Sequence, residues 1–189
     1  MLNPIIKATS FVHYVLKGII HEGDVVVDAT MGNGNDTIFL AETVGPGGSV
    51  FSFDIQQLAL DRTLKKIIDN NLDEYDIKLI NDSHENIGNH LTDTINAAMF
   101  NLGYLPRGDH SITTRPNSTI KGIKSVLRLL KPKGVTSIVI YYGHEGGMDE
   151  KQKVLSFLEG LTGKNFSVMK CCYINQGNNP PIIIFIQRN

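Results

Sequence analysis

Cysteine is almost missing from this chain: there are two, Cys171 and Cys172, and they are neighbours. Adjacent cysteines offer neither a disulfide framework nor the spacing of a metal site, so no metal is expected and a reducing, cytoplasmic setting fits. Long apolar runs are missing too. None approaches the ~18 residues of a membrane helix, so no membrane partner is expected. The stretch from Phe11 to Ile20 is broken by His13 and Lys17 and lacks a signal-peptide pattern. No repeat or low-complexity segment occurs. Charge of one sign is also absent as a bulk property: the net charge is −1, which by itself argues against nucleic-acid binding. What remains is ordinary globular material, 41% hydrophobic and 20% charged over 189 residues. That length suits one domain spanning 1–189, with residues 1–22 as a helical extension packed on it.

The most informative stretch present is Asp28-Ala29-Thr30-Met31-Gly32-Asn33-Gly34-Asn35-Asp36-Thr37. It follows the apolar Val25-Val26-Val27 and opens an amphipathic segment, so a strand delivers an acid, a glycine loop turns, and a helix begins. Gly32 and Gly34 permit backbone geometry and ligand approach that a Cβ would block. The helix start offers unpaired N–H groups to a ligand. One strand later Ser49 to Phe53 runs into Asp54, and an acid about 20 residues past the glycines suits a ribose diol. Gly32, Asn33, Gly34, Asn35, Asp36 and Thr37, with Asp28, Asp54 and Gln56, are therefore the candidate contacts of a nucleotide-type cofactor. A dinucleotide site wants a third glycine where Thr37 stands, and Asp28 would repel a pyrophosphate. The acid suits instead the ammonium of S-adenosylmethionine (SAM), and the loop resembles the first motif of class I methyltransferases. NAD is the runner-up; a glycine turn without a ligand is the plainer alternative.

Apolar periodicity predicts strands near 24–28, 49–54, 77–81, 95–101, 135–142, 166–174 and 181–187. Helices are predicted near 35–43, 56–70, 84–91, 117–130 and 149–160, after a helical stripe from Phe11 to Ile20. Alternation of this kind implies a parallel sheet with helices on both faces. Only the turn-prone Gly177-Asn178-Asn179-Pro180 joins the last two strands, so the final one should run antiparallel. The expected fold is α/β and Rossmann-like: seven mainly parallel strands with the last reversed, the class I methyltransferase arrangement. Ligands then bind beyond the carboxyl ends of the strands.

At the end of the third strand, Asp82, Ser83 and His84 could meet an adenine, although Ser83 or Asp82 would equally cap the next helix. At the end of the fourth comes Asn101-Leu102-Gly103-Tyr104-Leu105-Pro106. It resembles the Asn-Pro-Pro-Tyr motif of methyltransferases acting on amino groups, with Leu102 and Gly103 in place of the prolines. The resemblance implies that Asn101 and the next carbonyl accept hydrogen bonds from the amine while Tyr104 stacks on the base. A polar turn with a packed tyrosine is the local alternative. Charge is concentrated just beyond. Between Arg107 and Lys133 there are seven basic residues and one acid, Asp109, so the segment carries +6. Lys121, Lys124 and Arg128 share one helical face, opposite Ile120, Ile123, Leu127 and Leu130. Such a patch suits a polyanion, and a solvated helix face is the commoner explanation.

Taken together, these blocks resemble the family of putative rRNA methylases, whose characterised members methylate tRNA 5-aminomethyl-2-thiouridine (the MnmM type). The resemblance rests on the Asp28–Thr37 loop, the Asn101–Pro106 loop, Gly108-Asp109 and Ser111-Ile112-Thr113-Thr114. It continues through Tyr141, Gly143-His144 and Gly146-Gly147 to Asn175-Gln176, Asn178 and Pro180-Pro181. Arg107 and Tyr142 depart from the family pattern. The resemblance implies SAM as cofactor, the anticodon region of tRNA as partner, and N-methylation at the wobble uridine. Arg107, His110, Thr113, Thr114, Arg115, Lys121, Lys124 and Arg128 would then contact RNA. An amine with a pKa near 10.4 would cost roughly 4–5 kcal/mol to deprotonate at pH 7, and a neighbouring sulfonium and desolvation both lower that cost. Asp109, His110 and His144 are candidate proton acceptors. A small-molecule amine, an rRNA substrate and a non-catalytic RNA-binding protein stay open, as do monomer and homodimer. Methylation at pyrimidine carbon would want a cysteine near the fourth strand, and none is there.

Overall fold

The computed structural model describes residues 5–105 and 112–189. Seven strands form one sheet: β1 (Val25–Asp28), β2 (Ser49–Phe53), β3 (Asp76–Ile80), β4 (Ile95–Leu102), β5 (Leu130–Ile140), β6 (Phe166–Cys171) and β7 (Ile182–Arg188). Their order is β3-β2-β1-β4-β5-β7-β6, and only β7 runs antiparallel, pairing with β5 on one side and β6 on the other. The helices are α1 (Ala8–Leu16), α2 (Asn35–Val44), α3 (Gln57–Asp69), α4 (Ile87–His90), α5 (Pro116–Leu129) and α6 (Gly147–Glu159). This is the seven-stranded class I methyltransferase arrangement expected from the pattern.

Successive strand residues point to opposite faces of a sheet, and here each strand divides its apolar residues between two cores. Val27, Ala98, Phe100, Ile138 and Ile184 pack with α4, α5 and α6 on one face. Val26, Ala97, Met99, Val139 and Ile183 pack with Ala8, Val12 and Leu16 of α1 and with Leu40, Ala41 and Val44 of α2 on the other. Both faces are dry, so the central strands read as unbroken apolar runs rather than alternating ones. The amphipathic α1 thus covers the sheet as a full member of its layer.

Three elements differ from the sequence expectation. The helix expected over 84–91 is a 3-10 turn, His84–Asn86, running into the four-residue α4. Ser83 caps that turn by accepting the Glu85 N–H at 3.3 Å. The strand expected to reach 174 stops at Cys171. At the other end β5 already begins at Leu130, with an irregular register beside Ile95 and Ala97.

Candidate active site

A cleft of about 560 Å³ opens over the carboxyl ends of β1, β2 and β4, a size usual for a small-ligand site. Chain order reverses between β1 and β4, the position where open α/β sheets hold their ligands. The loops after these strands supply Gly32 and Asn33, Asp54 and Gln56, Asp82 to His84, and Asn101 to Leu105. Asn35 and Asp36 enter from the start of α2, Ile112 to Thr114 and Ser118 from the segment leading into α5, and Tyr141 from the end of β5. Thr9 and His13 close the cleft from α1. Sequence reasoning missed these two, because nothing local to an apolar helical stripe marks one of its polar residues as part of a site.

The glycine loop is held from beneath. Asp54 accepts the Gly32 N–H through Oδ2 and the Gln56 N–H through Oδ1, each at 2.9 Å. Gly34 has φ +75°, and a Cβ there would fall 2.6 Å from Thr63 Oγ1, so the loop needs glycine on both counts. Asn33 accepts from Arg62 at 3.0 Å, and Asn35 accepts from Lys66, which ties the loop to α3.

Asp28 departs from the role expected of it. It is fully buried and is not among the residues lining the cleft. Its oxygens are engaged by Thr37 Oγ1 at 2.7 Å and the Thr30 N–H at 3.2 Å. Thr37 is sealed beside it. Both residues brace the loop from inside, and the acid that reaches the cleft is Asp36. Burial, then repulsion from Asp36, raises the Asp28 carboxyl from 3.8 to about 7, opposed by the hydrogen bonds from Thr37 and Thr30. The folded chain therefore keeps a proton that the unfolded chain releases, and this site's contribution to stability falls as pH rises from about 4 to about 7. Asp28→Asn should gain on the wild type by about 2–3 kcal/mol between pH 5 and pH 8, measured by urea unfolding at both pH values. A pH-independent difference would mean that the carboxylate is ionised throughout.

At the end of β3, Asp82 accepts from Ser83 N at 2.7 Å and Asn86 Nδ2 at 2.8 Å, and its other oxygen lies 2.8 Å from His90 Nε2. Those bonds to His90 and Asn86 hold its carboxyl below the ordinary value. Desolvation pushes His84 down to about 4, so the ring is neutral, and its Nε2 is buried without a protein partner. His84 lines the cleft, and a neutral imidazole there suits contact with a heterocycle.

At the end of β4, the Asn101 N–H donates to Thr30 Oγ1 at 2.6 Å. Its Nδ2 donates to Asp36 Oδ2, and its Oδ1 is buried with no partner. The Leu102 carbonyl, expected to help bind the amine, already accepts the Tyr141 N–H at 3.0 Å, leaving Oδ1 as the uncommitted acceptor. Tyr104 lines the cleft and stands edge-on to His144, with ring centroids 5.7 Å apart. His144 Nδ1 donates to the Glu145 carbonyl at 3.0 Å, so Nε2 carries a lone pair. That nitrogen is sealed, however, and His144 is not part of the cleft wall. The structure makes it a support for Tyr104 rather than the expected base.

Thr114, half-buried at the cleft, has protein partners for its hydroxyl: Oγ1 accepts the Gly103 N–H at 2.9 Å and donates to the buried Glu150 at 2.7 Å. Thr113 bridges to Tyr104 in an isolated antiparallel pair. Arg115, Lys121, Lys124 and Arg128 are exposed. Lys121 lies 3.1 Å from Glu85, and Lys124 sits over the Phe157 ring. Arg107, Asp109 and His110 lie outside the described residues.

The family described as Putative rRNA methylase matches residues 50–187. The chain belongs to this family. Family and fold agree with solved structures along its whole length. A putative rRNA-methylase from Clostridium thermocellum is 48% identical, covers 97% of this chain and 98% of its own, and superposes with a TM-score of 0.94. A putative methyltransferase from Streptococcus mutans, solved in complex with SAH, is 36% identical, with 100% and 99% coverage and a TM-score of 0.87. Among curated relatives, the chloroplastic tRNA (mnm5s2U34)-methyltransferase of Arabidopsis thaliana is 37% identical over 95% of this chain and 69% of its own length. Like its family, this chain is a SAM-dependent methyltransferase.

Proposed function

We propose that this protein methylates the primary amine of 5-aminomethyl-2-thiouridine at the wobble position of tRNA; its Arabidopsis thaliana relative is named a tRNA (mnm5s2U34)-methyltransferase. The observation that carries the reading is Asn101, which lines the cleft and whose side-chain oxygen is buried without a protein partner. It fits an N–H donor such as an amine. Gly32, Asp54, Gln56 and His84 are the residues that would hold SAM, with Asp54 on the ribose. When bound, SAM supplies a methyl group on a positively charged sulfur, which leaves with the carbon–sulfur electron pair. The amine nitrogen, held by Asn101, forms the new carbon–nitrogen bond with its lone pair; the resulting ammonium then gives one proton to solvent. Tyr104, at the cleft mouth and 41% exposed, offers a face on which the uracil ring can stack. Orientation of the lone pair supplies the main rate effect.

The wobble base lies in the anticodon loop, so RNA must reach past the cleft, and the exposed cations of α5 offer a basic face. The combined Lys121→Glu, Lys124→Glu, Arg128→Glu variant should raise KM for tRNA about 10-fold or more. It should also reduce the slope of log KM against log salt by about 0.7–0.9 for each phosphate that no longer meets a cation, with SAM binding unchanged. An unaltered salt slope would place the RNA elsewhere. A tRNA substrate puts the working site in a tRNA-containing compartment, which we take to be the cytoplasm. Among the described residues no helix is long and apolar enough to cross a membrane. The direct test is incubation with labelled SAM and tRNA lacking the modification, followed by nucleoside mass analysis. Label in 5-methylaminomethyl-2-thiouridine is expected. Label in rRNA alone, in a small amine alone, or in nothing overturns the proposal.

A further inference from the structure

The cleft wall holds a three-residue chain that crosses from α1 to α2 to β4. Asp36, in the first turn of α2, has a side chain only 7% exposed, yet both of its oxygens are engaged. Oδ1 lies 2.6 Å from His13 Nε2, and Oδ2 accepts from Asn101 Nδ2. The His13 ring is stacked flat on Phe39, with centroids 3.9 Å apart and planes within 4°.

We propose that α1 completes the methyl-transfer site: His13 and Asp36 are positioning residues that hold the Asn101 amide with its oxygen aimed at the acceptor amine. This rests on the amine-transfer reading above and names two residues that the reading does not require. A primary amide can sit either way round, and only one way presents an acceptor to an amine. An ionised carboxylate accepts and never donates. With Asp36 behind it, Asn101 must turn its NH2 group inward; the reversed amide would set an oxygen against an oxygen and lose a charge-assisted bond. The consequence is visible in Oδ1 of this cleft-lining residue, which is buried and has no protein partner. His13 fixes the carboxylate in turn. Because Oδ1 of Asp36 only accepts, Nε2 of His13 is the donor, and the Phe39 stack sets the plane from which it donates. The same anion also acts on the chemistry: positive charge arrives on the amine nitrogen as the new bond forms, and a carboxylate behind the amide strengthens Asn101 Oδ1 as an acceptor for it.

A merely structural tether between α1 and α2 predicts different results, and the intact chain can tell them apart. Asp36→Asn should lower kcat about 100-fold, the scale of a misplaced reacting group, with SAM affinity within about threefold by calorimetry on the enzyme alone. Its melting temperature should not fall, because the substitution also relieves the repulsion on Asp28. His13→Ala should lower kcat about 10-fold, on the scale of one modest hydrogen bond, and His13→Gln, whose amide can donate from a similar position, should restore most of it. Asp36→Asn added to Asn101→Ala should cost nothing further, since the two act as a unit. Wild-type kcat in Asp36→Asn, a kcat loss matched by weaker SAM binding, or losses that multiply in the double variant would each overturn the inference. Wild-type enzyme that leaves aminomethyl-uridine tRNA unmethylated would instead overturn the reading of function.

Discussion

Asp54→Ala is expected to weaken SAM binding by about 10²–10⁴-fold, two charge-assisted hydrogen bonds of about 1.5–3 kcal/mol each being at stake. The carboxylate has two tasks that alanine abandons together. It tethers the glycine loop through the Gly32 N–H and the start of α3 through the Gln56 N–H. It is also the acid at the end of β2 that a ribose diol requires. Burial raises its carboxyl above the ordinary value, opposed by the Gln56, Gly32 and Ile55 N–H groups, so the anion is held at some cost in a site that a ligand can complete. Calorimetric titration with SAM reads the affinity, and a thermal melt without ligand shows that the fold survives. Binding within about threefold of wild type would remove Asp54 from the cofactor site.

The second large effect is expected at Asn101, on a different parameter. Asn101→Ala should lower kcat by about 10²–10³-fold, the usual loss for one preorganised polar group in a transition state, while SAM affinity stays within a few-fold. Alanine removes the uncommitted acceptor at the end of β4 and leaves Asp36 without its amide donor. Asn101→Asp should be no better, since it faces a second carboxylate with like charge. Single-turnover rates at saturating tRNA separate chemistry from binding. Unchanged kcat with weaker SAM binding would assign Asn101 to the cofactor instead.

The fold was legible in the chain because the central strands are buried on both faces and carry apolar runs, such as Val25-Val26-Val27 and Ile182-Ile183-Ile184. The cofactor loop was legible because its grammar is local: glycine, acid and helix start are neighbours, and the second acid is one strand away. The same grammar misled at Asp28. Sequence spacing places an acid at a strand end but cannot say whether its carboxylate turns up to a ligand or down to Thr37. Thr114 and His144 are both polar residues near the site in sequence, and packing supplies each with a protein partner, Glu150 or the Glu145 carbonyl, that spacing does not reveal.

By itself, then, the sequence determined the class of fold and the cofactor, since each depends on contiguous residues obeying backbone geometry. Tertiary structure decided which way the polar groups face. His13 and Asp36 are 23 residues apart, and Asp36 and Asn101 are 65 apart. No periodicity links them; packing of α1 and α2 over the same sheet face brings them together. There a carboxylate that can only accept sets the direction of an amide that can face either way.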